Sequence, residues 1–218
     1  MAGKIYLASG SPRRRELLQQ IGVQFEVIAA SVEEKIKSGE TGLAYVQRLA
    51  LEKAQAGLAQ VQREKCSLAP VLGADTLGIL DNKILEKPKD ANDAAEILRS
   101  LSGRTHQVIT AVALASPEKI ATAYSITQVS FRSITENEIK EYWLTGEPRD
   151  KAGGYAIQGL GAVFVKSIQG SYSNVVGLPI EICCELLSQF DISWWHSSAK
   201  KQMHLNWMWK KHERRNFN

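Results

Sequence analysis

The first apolar run, Ile5 to Ala8, gives way at Pro12 to a pattern in which Leu17, Leu18 and Ile21 share one face. This predicts a strand over about 4–9 and a helix over about 12–20. Val23 to Ile28 alternates as a second strand. From about 42 to 62, Val46, Ala50, Lys53, Ala54, Gly57 and Val61 recur at three- and four-residue spacing, which predicts a long helix with one inward face. Leu68 to Gly73 reads as a short buried strand. Thr76 to Leu80 and Lys83 to Leu85 flank Asp81-Asn82 as a hairpin. Asp90 and Asp93 open a helix that stops near Leu101 with Gly103 behind it.

Two long alternating runs follow, about 105–115 and 120–131. Thr135 to Glu138 is a capping box opening a helix to about Leu144. Leu160–Ile168 and Ser171–Val176 read as two strands paired around Gln169-Gly170, and Pro179 starts a last helix through Phe190. Intermixed strands, hairpins and helices predict an α/β fold with a mixed sheet.

At 218 residues, with 44% hydrophobic and 23% charged residues, the chain suits one soluble globular domain. No apolar run is long enough to span a bilayer, and the N-terminus lacks the apolar segment of a signal peptide. Cys66, Cys183 and Cys184 are an odd set with two adjacent members, which points to free thiols in a reducing cytosol and a cytoplasmic location. The net charge of +4 sits at one end. Residues 194–218 hold six Lys/Arg against one acid, whereas the rest holds 21 against 22. Residues 1–193 therefore read as the working domain, and 194–218 as a basic, Trp-containing extension.

The candidate chemistry starts at Ser9-Gly10-Ser11-Pro12-Arg13-Arg14, a strand turning tightly into a helix. Ser11 suits the N-cap and Pro12 the first helical position. The free N–H groups and dipole of such a terminus attract anions, and the Arg13 and Arg14 guanidinium forks match phosphate oxygens. Asp75, in Gly73-Ala74-Asp75-Thr76, is expected beyond the end of a buried strand, where a carboxylate can bind a cation or activate water. Lys87 precedes Pro88, and Lys53 shares a helix face with small apolar residues, where a lysine ordinarily snorkels. Together these cations suit a polyanion such as a triphosphate. Glu33 and Glu34 add acid nearby, at least one of them expected to be merely solvated. In 150–159, Gln158 between Ile157 and Gly159 offers one acceptor and two donors, which matches the edge of a uracil or thymine ring. No zinc spacing, Walker loop or nucleophile elbow occurs, and His106 reads as structural.

These blocks resemble the Maf family of nucleotide pyrophosphatases. The resemblance is carried by Leu-Ala-Ser-Gly-Ser-Pro-Arg-Arg (7–14), Glu33-Glu34, the Arg48…Lys53 helix, Gly-Ala-Asp-Thr (73–76) and Leu-Glu-Lys-Pro (85–88). Ser-Gly-x-Thr-His-x-Val (102–108), Asp-Lys-Ala-Gly (150–153) and Val-Val-Gly-Leu-Pro (175–179) complete it, over about residues 4 to 190. The resemblance implies a Maf/ITPase-like fold, a mixed twisted sheet flanked by helices around a central cleft. It implies hydrolysis of a nucleoside triphosphate between the α- and β-phosphates, a divalent cation such as Mg²⁺ or Mn²⁺, and a homodimer. The family's acid/base aspartate falls on Asp75, and its specificity positions on Arg13, Thr76 and Gln158. The Ile-Gln-Gly form is similar to that of the dTTP/UTP branch.

On this reading Ser9, Ser11, Arg13, Arg14, Lys53, Thr76, Lys87 and Gln158 bind substrate, and Glu34 and Asp75 hold the metal. Neither a membrane nor nucleic acid is expected as a partner. Two other readings stand beside it: a nucleotidyltransferase, and a nucleotide-binding regulator of cell division that acts without turnover.

Overall fold

The computed structural model describes residues 3–195. Seven strands form one mixed sheet: β1 (Ile5–Leu7), β2 (Phe25–Val27), β3 (Val71–Leu80), β4 (Lys83–Leu85), β5 (Thr105–Ala115), β6 (Ile120–Phe131) and β7 (Val165–Gln169). The order is β2-β1-β3-β5-β6-β7, with β4 paired to β3. β1 runs parallel to β2 and β3, and the remaining ladders are antiparallel. The helices are α1 (Pro12–Gln20), α2 (Gly42–Arg63), α3 (Ala91–Leu101), α4 (Glu136–Leu144), α5 (Tyr172–Val176) and α6 (Ile180–Gln189).

Strand alternation separates two layers. On one face Ile5, Leu7, Leu72, Ala74, Val112 and Leu114 pack with Leu17 and Leu18 of α1 and Cys183, Leu186 and Leu187 of α6. Trp194 packs against this layer. On the other face Leu77, Ile109, Ala111, Ala113 and Ala115 meet Val46, Ala50 and Ala54 of α2. Gly73 sets how close α2 comes. A Cβ there would overlap the Ala50 carbonyl oxygen and lie 2.5 Å from Ala54 N. Small residues on both partners bring helix and sheet close together.

The pairing leaves one gap. β1 ends at Leu7, opposite Leu72, and β4 joins β3 only from Gly78 onward. Across Gly73–Leu77, β3 is paired on its β5 side alone. The cleft opens there.

Most expected elements form. Asp81 and Asn82 adopt φ of 50° and 63°, the left-handed pair that a two-residue hairpin turn requires. The Asp90 and Thr135 side chains cap α3 and α4, the latter as a full capping box. All three cysteines are free, and Cys183 is buried.

Three expectations need correction. β3 does not stop at Gly73 but runs on to Leu80, so Asp75 lies within a strand and faces the gap beyond β1. Ser11 takes the N-cap position without a side-chain cap hydrogen bond. Residues 160–176 are not a hairpin. Leu160–Phe164 is a 3₁₀ turn, β7 pairs with β6, and Ser171 caps α5 by accepting from Asn174 N–H. Helix formation turns Asn174 inward, where its amide donates to Val108 O at 3.0 Å and Thr127 Oγ1 at 2.8 Å. Those buried bonds outweigh the strand preference of the valines. The extension was expected to begin at 194, and its part from 196 onward lies outside the described residues.

Candidate active site

The gap in the sheet opens into a cavity of about 810 Å³. Ser9, Ser11, Arg13, Arg14, Glu34, Lys53, Asp75, Thr76, Lys87 and Gln158 all line it. They come from the β1–α1 turn, the loop before α2, α2, β3, the segment after β4 and the 150–159 loop, so the convergence is tertiary.

Alternation along β3 sends neighbouring side chains to opposite faces. Asp75 points to the α2 face, where Lys53 Nζ donates to its Oδ1 at 2.7 Å. The close approach at Gly73 makes this reach possible. The same ammonium meets Glu34 Oε1 at 2.6 Å. Lys53 is therefore no snorkelling stem; it joins two carboxylates. Its hydrogen bond is the main reason that the Glu34 carboxyl lies below the usual range. Glu33 instead pairs with Lys35 on the surface. Arg48 steadies this acidic loop by donating to Glu40 Oε1 at 2.6 Å and Lys35 O at 2.9 Å.

Thr76 points the other way. Its hydroxyl accepts from Arg14 Nη2 at 3.0 Å and shares a hydrogen bond with Thr110 Oγ1, its cross-strand neighbour, at 2.9 Å. Thr110 donates to Asn174 O at 2.9 Å. Arg14 is buried, and its Nε and Nη1 donate to Gly177 O at 2.8 Å and Ser9 Oγ at 3.0 Å. Three of its N–H groups are thus committed to protein, and they tie the β1–α1 turn to β3 and to the turn before α6. Arg14 was expected to bind substrate; it lines the cavity with these three N–H groups already engaged and two more in the guanidinium. Burial also pulls its pKa down.

Arg13 and Lys87 are the more available cations. Lys87 is exposed and close enough to Glu34 to help depress its pKa. Arg13 lies beside Gln158. With its amide oxygen toward the guanidinium, Gln158 accepts from Arg13 Nε and, at 3.0 Å, from Nη1.

Thr110 and Asn174 support this wall but carry no motif, and their only signal is a polar residue in an apolar stretch. Tyr45 also lines the cavity, its phenol pushed up chiefly by burial. His106 lines it too, yet it is 2% exposed and bonded to Tyr155 Oη at 2.8 Å, a structural role as expected. Among the described residues, no group of three or more His, Cys, Asp or Glu side chains is arranged to hold a metal unaided. None of their helices is long and apolar enough to cross a membrane.

The site thus has two acids on one cation at one end and an arginine beside an amide at the other. Comparison with known proteins agrees in kind. The sequence pattern of the family described as Maf-like protein matches residues 4–190. The chain is 54% identical over 190 residues to the dTTP/UTP pyrophosphatase of Aliivibrio fischeri, covering 87% of this chain and 100% of that protein. It is 55% identical over 187 residues to the dTTP/UTP pyrophosphatase of Shigella dysenteriae, covering 86% and 93%. The dTTP/UTP pyrophosphatase of Saccharophagus degradans is 52% identical over 195 residues, covering 89% and 92%.

Proposed function

This chain belongs to the Maf-like protein family, and from that premise we propose that it hydrolyses dTTP and UTP to the monophosphate and pyrophosphate. The carrying observation is that Arg13, Lys87, Asp75 and Gln158, far apart in sequence, line one cavity. The triphosphate lies along the Ser9–Arg13 turn, with Arg13, Lys87 and the Ser9 and Ser11 hydroxyls toward its oxygens. Arg14 keeps that turn in place. Gln158 meets the base through its amide N–H groups, which suit the carbonyl oxygens of a pyrimidine edge, while its oxygen is turned to Arg13.

Asp75 accepts the proton of a water that attacks the α-phosphorus. The bond from that phosphorus to the α–β bridging oxygen breaks, and pyrophosphate leaves with the electron pair. Positioning and charge stabilisation supply most of the acceleration. Glu34 and Asp75 already share one cation, the Lys53 ammonium, so these two carboxylates would be the residues to hold a divalent ion. When bound, such an ion neutralises developing negative charge. Residues 1–193 make up the working domain, the extension from 194 begins with Trp194 packed on that domain, and the protein acts in the cytoplasm as a homodimer.

The test is a panel of nucleoside triphosphates with Mg²⁺ or Mn²⁺, read by pyrophosphate release. UTP alone must yield UMP and pyrophosphate with no sugar phosphate present, which a nucleotidyltransferase does not do. Tight dTTP binding without turnover would favour the regulator instead and overturn the proposal.

A further inference from the structure

Gln158 rides on a short span, Ala156 to Gly161, that belongs to no strand or α-helix. One carboxylate outside the cavity ties that span down. Glu147 Oε1 accepts from Tyr142 Oη at 2.6 Å and from Gly161 N–H at 2.9 Å. Its Oε2 accepts from Leu160 N–H at 2.9 Å. The Tyr142 hydroxyl in turn accepts from Ala156 N–H at 3.2 Å. A single Glu–Tyr pair thus grips backbone on both sides of Gln158.

The surroundings are shaped to this grip. A Cβ at Gly159 would overlap the Glu147 carboxylate, and one at Gly161 would lie 2.6 Å from Tyr142 Oη. The Tyr142 ring is buried and meets Phe164 edge-on at 5.0 Å. Burial works to raise the Glu147 pKa, but the bonds from Tyr142, Gly161 and Leu160 bring it below the usual range, so the acceptor is a full carboxylate at neutral pH. Arg13 adds to that lowering, which places Glu147 within the field of the guanidinium that faces Gln158.

We propose that Glu147, acting through Tyr142, is a positioning residue for base selectivity: it fixes the span that holds the Gln158 amide against Arg13. The inference rests on the pyrophosphatase reading of the cleft and deepens it. The pair touches neither the phosphate turn nor Asp75. Loosening it therefore blurs the reading of the base first, and reaches the triphosphate only through Arg13, since Lys87 and the Ser9–Ser11 turn do not touch the span.

The test compares wild type, Glu147→Gln and Tyr142→Phe for kcat and KM with dTTP, UTP, CTP and GTP, the Ki of inorganic triphosphate, and Tm. In Glu147→Gln, KM for dTTP and UTP should rise, and the preference for dTTP over CTP fall, each by roughly tenfold, because charge-assisted bonds to the span are lost. Turnover at saturation should stay within about threefold of wild type, since the reacting groups do not move. The Ki of triphosphate should move far less than KM for dTTP, since Lys87 and the Ser9–Ser11 turn are untouched. Tyr142→Phe keeps the ring in the core and should shift selectivity the same way, so it carries the test if Glu147→Gln does not fold. Unchanged selectivity in a folded variant overturns the proposal. So does an equal loss in turnover and triphosphate affinity with a lowered Tm, which marks a mere fold support. A wild-type protein that releases no pyrophosphate refutes the pyrophosphatase reading instead. The dTTP-to-CTP binding ratio by calorimetry then still tests the clamp.

Discussion

Adding one methyl group at Gly73 should disable the site from beneath. In Gly73→Ala the new Cβ would overlap the Ala50 carbonyl and lie 2.5 Å from Ala54 N, where ordinary contact begins at 3.4 Å. Both obstacles are backbone, so neither can rotate away, and clearing the nearer one, the Ala50 carbonyl, requires α2 to retreat by roughly 1.1 Å. That retreat carries Lys53, whose Nζ is 2.7 Å from Asp75 Oδ1, to roughly 3.8 Å, beyond hydrogen-bond range. Overpacking of this kind costs about 1–3 kcal/mol, and misplacing reacting groups by about 1 Å costs on the order of 10²-fold in rate. Calorimetry should therefore show Tm lowered by about 2–4 °C for each kcal/mol lost. Pyrophosphate release from dTTP should fall by about one to two orders of magnitude. A variant with wild-type Tm and wild-type kcat/KM would refute the argument that close packing at Gly73 sets the Lys53–Asp75 contact.

Three further outcomes are expected. Asp75→Asn should lower kcat by about 10²–10⁴-fold while a non-hydrolysable dTTP analogue still binds by calorimetry; near-normal turnover would remove Asp75 as the base. Gln158→Glu should pair with Arg13, lose the amide's donors and cut kcat/KM for UTP by at least about tenfold, read against wild type in the same assay. The His106 imidazole is pushed down to about 4 by burial. The unfolded chain therefore binds this proton first as pH falls, so the contribution is full above pH 6.5 and lost between 6.5 and about 4. The loss approaches about 3 kcal/mol, measurable from urea midpoints across that range, with the imidazole titration followed by NMR.

The parts of the fold written in local chemistry could be read directly. Asp90 and Thr135 mark helix starts because a short oxygen-bearing side chain there satisfies an orphan amide. Asp81-Asn82 marks a hairpin because both tolerate the left-handed region. Gly73 misled for the opposite reason. Glycine usually punctuates a chain, but here it makes room for a helix lying on the strand, a requirement set by residues 50 and 54. The stretch Tyr172–Val176 misled because its helical turn is decided by where the Asn174 amide finds partners. Likewise, residue types nominated the site, but their roles depended on contacts across the chain. Arg13 and Arg14 are neighbours of the same type. Both line the cavity, but Arg14 also holds Ser9, Thr76 and Gly177, whereas Arg13 lies beside Gln158.

The cleft is a missing length of ladder in a single sheet, and this bears on how the protein moves. Enzymes that close two lobes on a ligand swing them about a hinge. Here both banks of the opening belong to β3 and its neighbours, held by the continuous β3–β5 ladder from Val71 to Ile79. Swinging them apart would shear that ladder. The floor on which a nucleotide is broken is thus continuous with the sheet itself and braced along the whole length of that ladder.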